Sequence, residues 1–109
     1  MGRLLSSAIK MQGSVPTTAT LILSLVSGAG MGWFKNGSYQ GAITGTQTFT
    51  LNAGDTFYVG AFDFDFGITI DYFLNATYIT SYSDPSEVTT PTFTAVGGNT
   101  YQFNANSGF

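Results

Sequence analysis

Two runs of alternating apolar and polar side chains, residues 46–51 and 56–61, constrain the fold of this chain more than any other feature. Phe49 and Leu51 share one face of the first run, because successive side chains of a β-strand point to opposite faces. The intervening residues 52–55, Asn-Ala-Gly-Asp, contain a glycine that tolerates positive φ and side chains that hydrogen-bond their own backbone. The pattern predicts a β-hairpin with one buried face.

A second hairpin is predicted around Asn36-Gly37, the preferred dipeptide of a two-residue type I′ turn, in which both central residues need positive φ. This register pairs Phe34 with Tyr39 on one face of the hairpin and places Trp33 on the other face.

The remaining strands follow from the same period. The apolar positions change parity near residues 60–62, which predicts a bulge or a switch between sheets. Residues 76–82 read as another strand, and residues 91–96 and 100–103 as a closing hairpin followed by a tail at 105–109.

About eight or nine short strands with turn signals roughly every 8 to 12 residues are typical of a sandwich. We therefore predict an all-β fold, an antiparallel two-sheet β-sandwich over residues 17–109, preceded by a short N-terminal arm over residues 1–16. Immunoglobulin-like and jelly-roll topologies both fit this pattern.

A membrane helix is the competing interpretation of one region, because no charged residue lies within residues 11–34. The Pro16 ring and the Gly28-Ala29-Gly30 cluster leave only about a dozen strongly apolar residues there, short of the ~20 that a span needs. A strand buried on both faces is the favoured interpretation of residues 17–26, and a small membrane-anchored protein remains an alternative.

The arm has its own pattern. Leu4, Leu5 and Ile9 follow helical spacing beside Arg3 and Lys10, which predicts an assembly arm that contacts a neighbouring copy. A frayed terminus is the alternative. We recognise no secretory signal, because polar residues interrupt the apolar run.

Charge is scarce throughout the chain. Only 8% of residues are Asp, Glu, Lys or Arg, against about 25% in ordinary soluble proteins. Isolated domains stay soluble largely through surface charge, so a nearly neutral polar surface suits a protein that is covered by neighbours. An uncharged but monomeric β-domain is the alternative.

Histidine and cysteine are both absent. Their absence excludes Ser-His-Asp and Cys-His catalysis, thiol redox chemistry and most zinc, copper and haem ligation. Three cations in 109 residues also argue against specific nucleic-acid binding. We therefore expect no enzymatic activity and no cofactor.

Three acids, Asp63, Asp65 and Asp71, form the one acidic cluster. They are weak Ca²⁺ candidates, because the rest of an EF-hand loop is missing. The favoured interpretation places Asp63 and Asp65 on the wet face of a strand, opposite the neighbouring phenylalanines.

Five aromatic residues combine an apolar ring with a polar tip and could line a carbohydrate site or a protein interface. They are Trp33, Tyr39, Tyr58, Tyr78 and Tyr82.

These observations predict a non-enzymatic structural subunit of a larger assembly, most simply a minor virion protein of the capsid-associated, decoration or spike type, or a comparable subunit of an extracellular surface lattice. Its expected partners are copies of itself and other structural proteins of the assembly. A carbohydrate-binding or receptor-binding β-sandwich module is the alternative, and membrane contact is not favoured.

Overall fold

A computed structural model describes residues 15–109. The predicted assembly-arm residues Arg3, Leu4, Leu5, Ile9 and Lys10 lie outside the described residues. The described part of the chain forms ten β-strands: β1 Thr18–Leu25, β2 Gly30–Lys35, β3 Ser38–Ala42, β4 Thr46–Asn52, β5 Thr56–Phe62, β6 Ile68–Leu74, β7 Thr77–Asp84, β8 Glu87–Thr89, β9 Phe93–Thr94 and β10 Thr100–Ser107.

The strands form two packed sheets, so the two-sheet, all-β prediction is confirmed. Sheet 1 has the order β4-β1-β10-β6-β7, and sheet 2 has the order β3-β2-β5-β8, with β9 also paired to β5. The first and last strands, β1 and β10, lie side by side in parallel, with Leu21 opposite Tyr101. The prediction of a purely antiparallel arrangement was therefore wrong at this central pair.

The core lies between the sheets and is built from the inward-facing side chains of both. Phe103 is fully buried, and its ring stacks on Tyr72 at 4.8 Å between centroids and lies 5.6 Å from Phe93. Trp33 packs against Phe49 at 4.8 Å across the two sheets. A core of interlocked aromatic rings explains how a chain without disulfides buries enough apolar surface.

Two hairpins join sequence neighbours within residues 15–109, and both have the same turn chemistry. Asn36 and Gly37 have φ of 51° and 83°, and the register places Phe34 opposite Tyr39 as predicted. Asn75 and Ala76 have φ of 50° and 70° between β6 and β7. Two successive left-handed residues give the twist that a tight hairpin needs.

The hairpin predicted around residues 52–55 was wrong. β4 pairs with β1 in sheet 1, whereas β5 pairs with β2 in sheet 2, so the turn carries the chain from one sheet to the other. The Ala53 amide donates to the Thr17 carbonyl and the Gly54 amide to the Ala95 carbonyl. Both strands bury one face toward the same core, so their alternation is the same for a hairpin and for a crossing.

The prediction of a closing hairpin over residues 91–103 was also wrong, because its two strands belong to different sheets. β9 pairs with β5 in sheet 2, and β10 pairs with β1 and β6 in sheet 1. The predicted tail at 105–109 was also wrong in part, because β10 runs to Ser107 and Ala105 is buried. The predicted switch between sheets occurs, but it lies in the turn at residues 63–67 and not at residues 60–62. β5 keeps an unbroken register with β2 to Phe62, and the even-numbered buried positions begin only at Ile68 on β6.

The strand predicted for residues 17–26 is confirmed, since β1 covers most of this segment. Its burial on both faces was wrong, because Ala19, Leu21 and Leu23 are buried whereas the alternate positions are only partly buried or exposed. A second strand, β2, follows within the region considered for a membrane span. Between Val15 and Phe109 no helix is long and apolar enough to cross a bilayer.

Candidate functional site

The two outer faces of the sandwich differ in chemistry. Outward positions of β1, β4 and β10 in sheet 1 are polar apart from Ile22, as the burial alternation shows. They include Thr20, Ser24, Thr46, Thr48, Gln102 and Asn104. One aromatic pair, Phe73 and Tyr78, lies at outward positions of β6 and β7 in sheet 1. The outer face of sheet 2 carries several aromatic residues together with glycines, so it is the face on which a recognition surface is expected.

Three glycines form the floor of a groove on this outer face. Gly30 and Gly32 lie on β2, and Gly60 lies opposite Gly32 on β5. Met31 and Trp33 alternate with the β2 glycines and point into the core. A sheet face without side chains at adjacent positions is a depression, because each missing Cβ exposes the backbone.

Aromatic rings form the walls of the groove. A Cβ at Gly30 would lie 2.2 Å from the Phe62 ring, and one at Gly32 would lie 2.9 Å from the Tyr39 ring, so these rings already cover two of the glycines. Within the described part of the chain, the nearest atom to a Cβ at Gly60 would be the Thr89 hydroxyl oxygen at 3.7 Å. The groove is therefore open above Gly60.

The far wall is a stack of rings. Phe34 and Tyr58 lie opposite each other on β2 and β5, with their ring centroids 4.5 Å apart and their planes within 7°. Tyr39 is tilted against Phe34 at 5.2 Å. Stacked neighbours restrict each ring to one orientation, so the wall is formed before any ligand arrives.

The groove has a volume of about 630 Å³, within the range of about 300 to 1,000 Å³ usual for binding pockets. Leu25, Ala42 and Val88 add carbon to the lining. Among the described residues of the lining, Glu87 carries the only carboxylate, and Thr89 contributes a hydroxyl group beside it. The lining is thus mostly apolar with a short acidic rim.

A second surface feature begins at the Phe62 wall. We define the phenylalanine loop as Phe62, Phe64 and Phe66 together with Phe109, whose ring lies over Gly67. Their side chains are 43%, 68%, 71% and 73% exposed, respectively. Phe62 stacks on Phe64 at 5.1 Å. Large exposed apolar patches on soluble domains usually mark interaction sites.

The loop that presents these rings is held by Asp63, which is only 6% exposed. One carboxylate oxygen accepts the amide N–H groups of Asp65 and Phe66, both at 3.1 Å, and the other accepts the Ser107 hydroxyl at 2.6 Å. The Asp63 amide donates to the Ser86 carbonyl at 2.8 Å. The rings are exposed on a well-tied scaffold and not on a loose loop.

These hydrogen bonds also set the charge of Asp63. The Ser107 hydroxyl, followed by the amides of Phe66 and Asp65, lowers the pKa of this carboxyl below its ordinary value despite its burial. A carboxylate that accepts several hydrogen bonds is stabilised in its ionised form. Asp63 therefore stays ionised at neutral pH and works as a structural clamp.

The acidic cluster is not arranged as predicted. Asp63 and Asp65 lie in the turn after β5 and not on a strand face, and Asp63 is buried where the prediction has it wet. Asp71 lies on β6, where Ser81 donates to it at 2.6 Å. Among residues 15–109 no group of three or more potential metal ligands lies together.

The predicted aromatic set divides into three parts. Tyr39 and Tyr58 lie together at the groove. Trp33 is 4% exposed and packs in the core, so its prediction as an accessible ring was wrong. Tyr78 is exposed and Tyr82 partly buried, and both lie on β7 in the other sheet.

Sequence reasoning missed Phe34, the three floor glycines and the exposure of Phe64 and Phe66. The spacing Gly30-Met31-Gly32-Trp33 contains a signal, since strand alternation gathers the glycines on one face and the large residues on the other. Gly60 joins them only through the β2–β5 register, which is set by long-range pairing.

Comparison of the chain with protein-family models, with curated protein sequences and with solved structures found no match.

Proposed function

We propose that this protein is a non-enzymatic structural subunit that works by packing into a larger assembly. The observation that carries the proposal is the phenylalanine loop, whose four exposed phenylalanines lie on a backbone that hydrogen bonds to the buried Asp63 tie down at residues 65 and 66. A lone soluble domain gains nothing from fixing apolar rings in water. An assembly subunit gains affinity, because a loop backbone that is already ordered loses little entropy on binding.

Two further features support this function. The chain carries few charges to keep copies apart, and the glycine-floored groove gives a second apolar surface beside the loop. A minor virion protein or a subunit of another surface lattice fits this combination, because its surface is covered by neighbours in the finished particle.

The test is the native mass of the complex that contains the protein in its source, measured by light scattering after non-denaturing purification. We expect a particle many times heavier than the chain. A tagged double variant, Phe64→Ser with Phe66→Ser, should fail to enter the particle. The matched control is Val96→Ser, which removes an exposed apolar side chain outside the loop. A strict monomer in the source material contradicts the proposal.

Carbohydrate binding is the second candidate, and the stacked Phe34–Tyr58 wall is the observation that favours it. The groove offers a sugar few polar partners, chiefly Glu87 and Thr89 and the tyrosine hydroxyls, so we rank it below assembly. Binding of the isolated chain to a glycan array, lost in Tyr58→Ala and retained in Tyr78→Ala, would favour this candidate.

A further inference from the structure

We propose that the groove of one molecule receives the phenylalanine loop of a second copy, which gives a two-fold symmetric dimer. This inference rests on the proposed function, because it names the partner of the same surface. Both halves of the contact are made of described residues, and each carries unpartnered apolar area.

The position of Phe62 allows the contact to form a closed dimer with two-fold symmetry and not an open chain of molecules. Its ring covers Gly30 at one end of the groove and stacks on Phe64 of the loop, so loop and groove form one continuous surface. A surface that contains both the projecting and the receiving part can meet a copy of itself across a two-fold axis. Loop and groove at opposite ends would instead build an open filament.

The exposed area is sufficient for a stable pair. Taking about 200 Å² for a fully exposed phenylalanine, the exposed fractions leave roughly 500 Å² on the four phenylalanines of one copy. Reciprocal burial doubles this value to roughly 1,000 Å² before the groove lining is counted, which reaches the lower bound for a specific interface.

The groove has room for an incoming side chain above Gly60. Tyr39 and Phe62 already cover Gly32 and Gly30, whereas the space above Gly60 is open. An incoming ring placed there lies between the Phe34–Tyr58 stack and Phe62. Packing of a ring against several aromatic neighbours is the arrangement found at interface hot spots.

The charges near the contact indicate that rings and not ion pairs hold it together. Asp65 lies on the loop and Glu87 on the groove rim, and no residue within 15–109 that lines the groove is a cation. Salt screens the repulsion between these carboxylates, so added salt should leave the dimer equally tight or tighten it. An occupant that carries cations, such as the segment with Arg3 and Lys10, would bind more weakly in salt.

Sedimentation equilibrium of the full-length chain tests the proposal at about 0.05 M and about 0.5 M NaCl, a range over which the screening length shrinks several-fold. We expect a monomer–dimer equilibrium that does not weaken with salt. Phe64→Ser should raise the dissociation constant about 100-fold. Two-fold symmetry means that each dimer loses two copies of the same contact, and a loss of about tenfold in affinity for each buried aromatic contact is a modest value for an interface.

Gly60→Val should raise the dissociation constant by a similar factor, because its side chain fills the groove that receives the loop of the second copy. Both variants are compatible with the fold, since Phe64 is mostly exposed and a Cβ at Gly60 has space. Val96→Ser is the matched control and should dimerise like the unaltered chain. Circular dichroism melting curves confirm that each variant is folded.

The proposal is overturned if both Phe64→Ser and Gly60→Val still form dimers. It is also overturned if salt weakens the association and the double variant Arg3→Ser with Lys10→Ser abolishes it. A saccharide that binds the unaltered monomer but not Gly60→Val also overturns it. A chain that is monomeric at every concentration, yet enters its native particle through Phe64, overturns the dimer and leaves the proposed function standing. A chain that is monomeric in both settings overturns both.

Discussion

Replacing Ala76 by glycine should stabilise the protein, although the change removes a side chain. Ala76 has a φ of 70° in the β6–β7 turn, a conformation that costs an L-residue with a Cβ about 1–2 kcal/mol. Glycine removes this cost but loses about 0.5–1 kcal/mol more conformational entropy on folding. The side chain is exposed, so no core packing is lost. The expected net gain in the free energy of unfolding lies within about 0–1.5 kcal/mol, and the midpoints of the two ranges give about 0.75 kcal/mol.

The matched control is the same substitution at Ala53, which is also exposed and also lies in a turn. Ala53 is not among the residues with positive φ, so glycine there only adds freedom to the unfolded chain. We expect Ala53→Gly to destabilise the protein by about 0.5–1 kcal/mol. The two alanine-to-glycine changes should therefore have opposite signs.

Urea unfolding measures both free energies, and calorimetry gives the midpoints. A change of 1 kcal/mol moves the midpoint by about 4–8 °C in a domain of this size, so a gain of about 0.75 kcal/mol should raise the melting midpoint of Ala76→Gly by roughly 3–6 °C. An Ala76→Gly variant that is less stable than the unaltered protein, or two variants that shift in the same direction, would refute the reasoning.

Three further predictions concern acid stability, the core and the single tryptophan. Hydrogen bonds lower the pKa of Asp55, Asp63 and Asp84 below the ordinary 3.8. As the pH falls, these carboxylates are therefore protonated in the unfolded chain before they are protonated in the folded protein. The free energy of unfolding should stay constant above about pH 5 and decrease as the pH drops through the folded pKa values. In urea titrations at a series of pH values, Asp63→Asn should flatten this loss, and an unchanged slope would count against the clamp. Phe103→Ala should cost about 3–5 kcal/mol, because the buried ring leaves a cavity among other rings; a loss below 1 kcal/mol in urea would contradict this packing. Trp33 should be quenched weakly by acrylamide in the native state and strongly in urea, and equal quenching would show that it is not buried.

Local features of the fold could be predicted because short-range chemistry decides them. The Asn36-Gly37 dipeptide specifies a turn with both residues left-handed, and the Phe34–Tyr39 pair follows from it. The crossing at residues 52–55 could not be distinguished from a hairpin, since β4 and β5 alternate toward one core. Its Gly54 alone has positive φ there, whereas the two true hairpins have two such residues in succession.

Long-range pairing explains most of what the sequence left open. The parallel contact between β1 and β10 joins the two ends of the described chain, and no local pattern encodes it. The groove depends on the same kind of information, because Gly60 meets Gly32 only through the β2–β5 register. Asp63 was misplaced because alternation was extended through a turn in which a buried carboxylate holds the backbone.

The central claim is that a partner covers the phenylalanine loop in the native particle. Hydroxyl-radical footprinting measures this directly, by comparing oxidation of Phe64 and Phe66 in the particle with oxidation in the dissociated, folded chain. The exposed Val96 provides the internal reference outside the loop. We predict strong protection of both phenylalanines in the particle relative to Val96. Equal oxidation of the two rings in both states would contradict the account.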